Sequence, residues 1–250
     1  MFTWKVEYGL TIAGDEDFFV IRSIANEGYF APCGDQEKCK EFLEETFRRE
    51  GKIRVLYVTE EMAERSKLLG FRVKKMPELS EYICSTEALA LKKGHISHTF
   101  RRKCAKFKEE FPYKPEVIRE KDIPELLDII AAWEKDVPVT GALDLSAARL
   151  SLENFMALGL SGIVVHTRDG VAAFSFGFRS APDTYTMSTV KYDKRLSPSV
   201  TFVCTHEEAK LVACPYRYCN LEEDLGLPGL RASKLQCSPV KMQEVYTIEK

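Results

Sequence analysis

Arg168-Asp169-Gly170 stands between two apolar runs, Gly162–Thr167 and Val171–Phe178, and no other feature narrows the possible folds as much. Asp-Gly accepts the positive-φ turn that joins twisted antiparallel strands, so the runs predict a β-hairpin. A lone hairpin is marginal in water and needs further elements to cover its apolar face. The flanking sequence supplies them. Ahead of it, Asp122-Ile123-Pro124-Glu125 reads as a helix start, with Asp122 as cap, Glu125 closing a capping-box-like pair and Pro124 in the first turn. Ile123, Leu126, Leu127, Ile130 and Ala131 form the buried stripe of that helix, and a second helix fits Ser146–Leu158. Beyond the hairpin come a strand at Tyr185–Val190, a helix from about Pro198 to Ala213 and a short strand at Tyr216–Asn220. A short helix beginning near Leu230 and a last strand at about Met242–Ile248 complete the series.

The first half carries a second set of signals. Trp4–Leu10 and Phe18–Ser23 read as strands joined by Gly14-Asp15-Glu16-Asp17. Gln36–Glu50 places Cys39, Phe42, Leu43, Thr46 and Phe47 at helical spacing, and Gly51 ends the helix. Ile53–Val58 is β-rich, Thr59 caps a helix over Glu60–Leu69, Gly70 stops it, and Phe71–Lys74 is extended. From Ala88 to Lys108 there is no acidic residue, while Lys92, Lys93, Arg101, Arg102, Lys103, Lys106 and Lys108 are all positive. Ile96, Phe100, Cys104, Phe107 and Phe111 recur there at three- or four-residue spacing, which predicts an amphipathic helix with a basic wet face. Pro112 and Pro115 bracket a linker, so the expected domains are 1–112 and 113–250. The expected class is α/β (α+β), with two mixed central sheets flanked by helices.

A net charge of -2 excludes a globally basic nucleic-acid binder but leaves room for a basic patch. No apolar run approaches the roughly 20 residues that span a bilayer. The N-terminal residues lack the basic and apolar regions of a signal peptide, so the expected location is the cytoplasm. Eight cysteines without CxxC spacing read as reduced, mostly buried thiols rather than a disulfide or zinc framework. His206-Glu207-Glu208 is not HExxH, and no metal site is expected. GxSxG, Walker and GxGxxG motifs are absent, which removes hydrolase, P-loop and Rossmann readings.

The most specific stretch runs from Asn220 to Leu235. It resembles the C-terminal signature of the phosphatidylglycerol lysyltransferase C-terminal-like family, approximately N-x-E-x-D-L-G-x-x-G-L-R-x-x-K, and keeps its fixed positions at Asn220, Glu222, Asp224, Leu225, Gly226, Gly229, Leu230, Arg231 and Lys234. Tyr82-Ile83-Cys84-Ser85, then Gly94, His98, Arg101 and Phe107, are similar to a second family pattern, in which Phe100 and Arg102 replace a Lys and an Asn. Ala172-Ala173-Phe174-Ser175-Phe176-Gly177 is similar to its hairpin strand. The resemblance spans almost the whole chain and implies two tandem GNAT-like domains, the first one reduced. It also implies acyl or aminoacyl transfer from acyl-CoA or aminoacyl-tRNA to an amine or hydroxyl of an unidentified small molecule or peptide. The family's central-strand Glu-Lys is Val190-Lys191 here, and the following loop, Asp193-Lys194-Arg195-Leu196-Ser197-Pro198, has no glycine. An RxxGxG/A pyrophosphate loop is absent, which weakens the expectation of acetyl-CoA as donor.

Glu222 and Asp224, two residues apart at the end of a predicted strand, are expected on one face, where a carboxylate acts as general base. The alternative has Asp224 capping the following turn and Glu222 in solvent. Arg231 and Lys234, one turn apart after Gly226 and Gly229, form a candidate anion site; alternatively Asp224 pairs with Arg231 to pin the loop. His98, Arg101, Arg102 and Lys191 are the remaining candidates for donor phosphates or acceptor anions. The competing reading of the whole chain is a catalytically silent GNAT-like protein that binds an anionic ligand or RNA.

Overall fold

A computed structural model describes residues 2–135 and 143–250. At the start of the chain, where a strand over Trp4–Leu10 is expected, Phe2–Trp4 forms a single helical turn and Lys5–Tyr8 a short helix, α1. Gly9 stops it with φ 56, a left-handed conformation that favours glycine, and strand β1 begins at Leu10 and runs to Gly14. Strands β2 (Phe18–Ser23), β3 (Gly28–Phe30) and β4 (Cys33–Gly34) follow. Asp35 then caps α2 (Gln36–Glu50) by accepting from the N–H groups of Glu37 and Lys38, and Gly51 closes it at φ 67. Strand β5 (Arg54–Val58), α3 (Glu60–Leu68) capped by Thr59, and β6 (Arg72–Lys75) come next.

These elements form one unit together with β14 (Tyr246–Glu249), a strand from the far end of the sequence. The sheet order is β1-β2-β3-β5-β14-β6, with β4 on β2. It is mixed, because β3 and β5 are parallel while β14 runs antiparallel to both neighbours. Val20, Tyr29, Val55, Ala63 and Ile248 fill its core.

The second unit is Glu81–Gln243. Its sheet runs β13 (Lys241–Gln243), β7 (Glu81–Ser85), β12 (Tyr218–Asn220), β11 (Thr184–Tyr192), β10 (Gly170–Ala181), β9 (Ser161–Thr167) and β8 (Tyr113–Val117). The Arg168–Gly170 turn joins β9 and β10 as expected. Helices α4 (Thr86–Leu91), α5 (His98–Glu110) and α8 (Val200–Leu211) cover one face, through Leu89, Phe100, Phe107, Phe202 and Val203. The other face, at the β8–β10 end, is covered by α6 (Ile123–Glu134) and α7 (Leu143–Glu153), whose Leu126, Ile130 and Leu152 meet Phe174 and Phe176. Helix α9 (Pro228–Gln236) lies between β12 and β13 in the chain.

The division between units therefore falls at 80/81 rather than at the expected 112/113. The linker expected between Pro112 and Pro115 falls instead within an edge strand, Tyr113–Val117, paired with β9. Pro115 is tolerated there because an edge strand has one side on which a missing N–H costs no ladder bond. The last expected strand, Met242–Ile248, is two strands in two different sheets. Asp122 turns backward, accepting from the Arg119 N–H at 2.8 Å instead of capping the helix that follows.

Candidate functional site

The parallel pair of β11 and β12 holds together over three positions, Thr184–Tyr218, Tyr185–Cys219 and Thr186–Asn220. Strand β12 then ends, while β11 continues to Tyr192, so the two part beyond Thr186 and Asn220. What ends β12 is local. Asn220 Oδ1 accepts the Glu222 N–H at 2.8 Å, and Glu222 takes φ 58, a left-handed conformation uncommon for a residue with a Cβ.

A cavity of about 270 Å³ lies over the paired segment and reaches the end of β12, lined by Glu81, Ile83, Thr184, Thr186, Asn220 and Glu222 among others. Strand alternation explains its polarity: Tyr82 and Cys84 of β7 point into the core with Leu221, leaving Glu81 and Ile83 for the cavity. Asn220 Nδ2 donates to Glu81 Oε2 at 2.8 Å, so one side chain braces both carboxylate-bearing segments. Burial, then the neighbouring Glu223 charge, pushes the Glu222 carboxyl up to about 8, and burial also raises Glu81. Lys234 works against this. Its Nζ donates to the Leu221 carbonyl, burial depresses its own basicity, and its charge lowers the Glu222 value.

The two acids predicted to share a face do not converge. The left-handed turn at Glu222 breaks the alternation, and Asp224 bonds instead with Tyr82, whose side chain is part of the core on the other face. Asp224 is buried and fully engaged. It accepts from the Tyr82 hydroxyl at 2.5 Å, the Gly226 N–H at 2.8 Å, and Arg231 Nε and Nη2 at 2.8 and 3.0 Å. Arg231, then Tyr82, holds its carboxyl down at about 2. The expected pinning pair of Asp224 and Arg231 is thus formed, and the Gly226 N–H is already donated. Gly229 lies in the first turn of α9, beside Pro228, which has no N–H to offer.

The other candidates stand apart. His98, Arg101 and Arg102 are exposed on α5. The cap of that helix, Ser97, also donates to the Gln236 carbonyl at 2.6 Å and so ties α5 to the end of α9. Lys191 Nζ pairs with Asp144 Oδ2 at 2.6 Å and lies over the Trp133 ring, beside α6 and α7. In the loop after β11, the N–H groups of Arg195 and Leu196 go to Asp193, those of Ser199 and Val200 to Ser197, and those of Thr201 and Phe202 to Pro198 and Ser199. Few donors are left there for a pyrophosphate. A wider depression of about 1220 Å³ lies in the first unit, beside Arg22, Tyr29 and Arg54, and contains none of the candidate residues. Among the described residues no group of three or more His, Cys, Asp or Glu is placed to hold a metal. His206 Nδ1 faces the Leu89 carbonyl at 2.9 Å inside the core.

Sequence reasoning missed Glu81 and the bracing role of Asn220. The signal for Glu81 was present: it precedes Tyr82-Ile83-Cys84 in an alternating strand, which turns it away from the core.

The family described as "Phosphatidylglycerol lysyltransferase, C-terminal" matches residues 1–249. The chain belongs to this phosphatidylglycerol lysyltransferase C-terminal family. A conserved protein of unknown function from Bacteroides thetaiotaomicron VPI-5482 is similar to this family member at 28% identity and TM-score 0.86, over 98% of this chain and 87% of that one. The structure of L-PGS from Bacillus licheniformis is similar at 14% identity and TM-score 0.69, over 98% and 89%. A tandem GNAT protein from the clavulanic acid biosynthesis pathway shares the fold at 8% identity and TM-score 0.51, over 99% and 86%. No curated protein matches the chain. As a member of the phosphatidylglycerol lysyltransferase C-terminal family it has the tandem GNAT-like fold, with two mixed sheets flanked by helices. Among the described residues no helix is long and apolar enough to cross a membrane.

Proposed function

We propose that the chain is an aminoacyl- or acyltransferase acting in the cytosol, with its reaction centre in the polar cavity at the end of β12 and Glu222 as the proton acceptor. The observation that carries this reading is Glu222 itself, held in a left-handed turn in a small polar cavity with its carboxyl pushed up to about 8. A carboxylate of that basicity takes a proton from an amine far more readily than an ordinary surface glutamate does. In the step proposed, an amine or hydroxyl of the acceptor attacks the carbonyl of the donor ester. Glu222 receives the acceptor's proton, the acyl bond to the acceptor forms, and the carrier's oxygen or sulfur leaves with the electron pair. The fold contributes mainly by positioning the two partners.

Of the two donor classes, the loop after β11 favours an aminoacyl ester on tRNA over a CoA thioester, because most of its N–H groups are bonded within the loop. The family name, phosphatidylglycerol lysyltransferase, supports transfer of an aminoacyl group. The exposed cations of α5 would follow the donor's phosphates.

Incubation with labelled aminoacyl-tRNA and acyl-CoA pools tests the reading. Label should pass to an acceptor with the native chain and fail to do so with Glu222→Gln. Absence of both transfer and donor binding would overturn it.

A further inference from the structure

The outer strands of the two sheets are not protected alike. Strand β6 carries Arg72, Lys74 and Lys75, β13 carries Lys241, and β8 carries Lys114, Pro115 and Glu116. Charges and proline on an edge discourage a further strand from pairing there. Strand β1, Leu10-Thr11-Ile12-Ala13-Gly14, has neither. It pairs with β2 on one side only, and residues 11–14 are exposed. Among the described residues no hydrogen bond from outside the β1–β2 hairpin reaches Leu10–Gly14. Alternate residues of such a strand turn their N–H and C=O away from the sheet, so β1 presents a row of unused donors and acceptors.

The side chains along this edge are apolar as well. Ile12 is 72% exposed in the middle of β1, and Phe19, which stands opposite Gly14 on β2, is 46% exposed. Opposed residues share a face, so Ile12 continues a row begun by the buried Ile21. Phe19 has only Gly14, without a side chain, between it and the open edge.

We propose that β1 pairs antiparallel with β1 of a second copy of this chain, about a twofold axis through Ile12. Leu10 then opposes Gly14 of the second copy, Thr11 opposes its Ala13, and the two Ile12 side chains meet on the axis. The apolar row runs unbroken from Ile21 of one copy to Ile21 of the other. Charge selects this direction of pairing. The turn after Gly14 carries Asp15, Glu16 and Asp17, and Asp15 and Asp17 share one cation, Lys38. Parallel pairing would lay the two acidic turns side by side, which like charges oppose. Antiparallel pairing sends them to opposite ends, each toward the Leu10 end of the other copy. There Arg22, opposite Thr11, lies over the Tyr29 ring and forms no ion pair among the described residues. An extended peptide of another protein would need pockets for its alternate side chains, and neither cavity described above is lined by a residue of β1. The dimer does not depend on the transfer reaction.

A strand of 5 residues from each copy falls short of the roughly 20 a side of a standard interface, so the dimer should come apart on dilution. Sedimentation velocity of the whole chain over about a hundredfold range of concentration should therefore show a monomer–dimer equilibrium. Ile12→Lys puts two like charges on the axis and should raise the dissociation constant at least about tenfold. Because Ile12 is exposed, the melting temperature of the dilute chain should not move. Hydrogen exchange of the native chain gives a second readout: amides of Leu10–Gly14 should exchange more slowly as concentration rises, and those of β6 and β8 should not. A chain that stays monomeric at every concentration would overturn the proposal and leave this edge to a segment of another protein. So would a dimer that Ile12→Lys leaves intact, or protection confined to other strands, either of which puts the interface elsewhere.

Discussion

Glu208 Oε1 accepts from the Tyr185 hydroxyl at 2.9 Å, and the same hydroxyl lies 2.7 Å from the Ser161 carbonyl. One hydroxyl proton serves two acceptors there, so the fully buried Glu208 carboxyl has little to compensate a negative charge. Burial agrees, pushing its carboxyl up to about 7.

A carboxyl raised in the folded state binds a proton that the unfolded chain releases, so stability falls as pH rises from about 4.5 to about 7. Melting of the native chain against Glu208→Gln reads this directly. The difference between them should change by on the order of 3 kcal/mol between the two ends of that window. A pH-independent difference would show Glu208 ionised throughout.

Transfer should rise with pH toward about 8, where Glu222 loses its proton, and then level off. Glu222→Gln should lower the rate roughly a hundredfold to ten-thousandfold and abolish that limb. A variant with the same profile and a small uniform loss would remove Glu222 from the chemistry.

Lys234 holds the Glu222 value down, so Lys234→Met should move the limb to higher pH and slow transfer at neutral pH without abolishing it. Rates measured across the pH range separate this from a folding defect, which would scale all points alike.

Asp224 contributes stability in the opposite direction. Its carboxyl is held below its ordinary value of 3.8, at about 2, so its contribution is complete above pH 3.8 and is lost as pH falls toward 2. Asp224→Asn should cost on the order of 2 kcal/mol at neutral pH and flatten the acid limb of the melting curve. Chemical denaturation at neutral and acid pH checks both.

Much of the fold was legible because the signals were local. The limits of α2 follow from Asp35 before it and Gly51 after it, and the Asp169-Gly170 hairpin from two residues. Elements defined by distant partners were not legible. Strand β12 has three residues and exists only between β7 and β11, and Met242–Ile248 divides because its two halves pair in different sheets. Pro115 reads as a linker until β9 is placed beside it. At the site, Asn220–Lys234 stood out as a segment, yet Glu222 and Asp224 were paired wrongly, since alternation fails where Glu222 adopts φ 58. Glu81 was missed because it meets Glu222 only when β7 lies beside β12.

Strand β14 has a consequence for how the molecule is made. It sits between β5 and β6, yet it follows the whole of the second unit in sequence. As the polypeptide leaves the ribosome, the first sheet emerges with a gap between β5 and the edge strand β6, and the backbone donors and acceptors of both wait for a seam synthesised more than a hundred residues later. The second unit, contiguous along the chain, is whole before the first can close. Order of synthesis and order of completion are reversed, and limited proteolysis of ribosome-held chains of increasing length should find Glu81–Gln243 protected before residues 2–80.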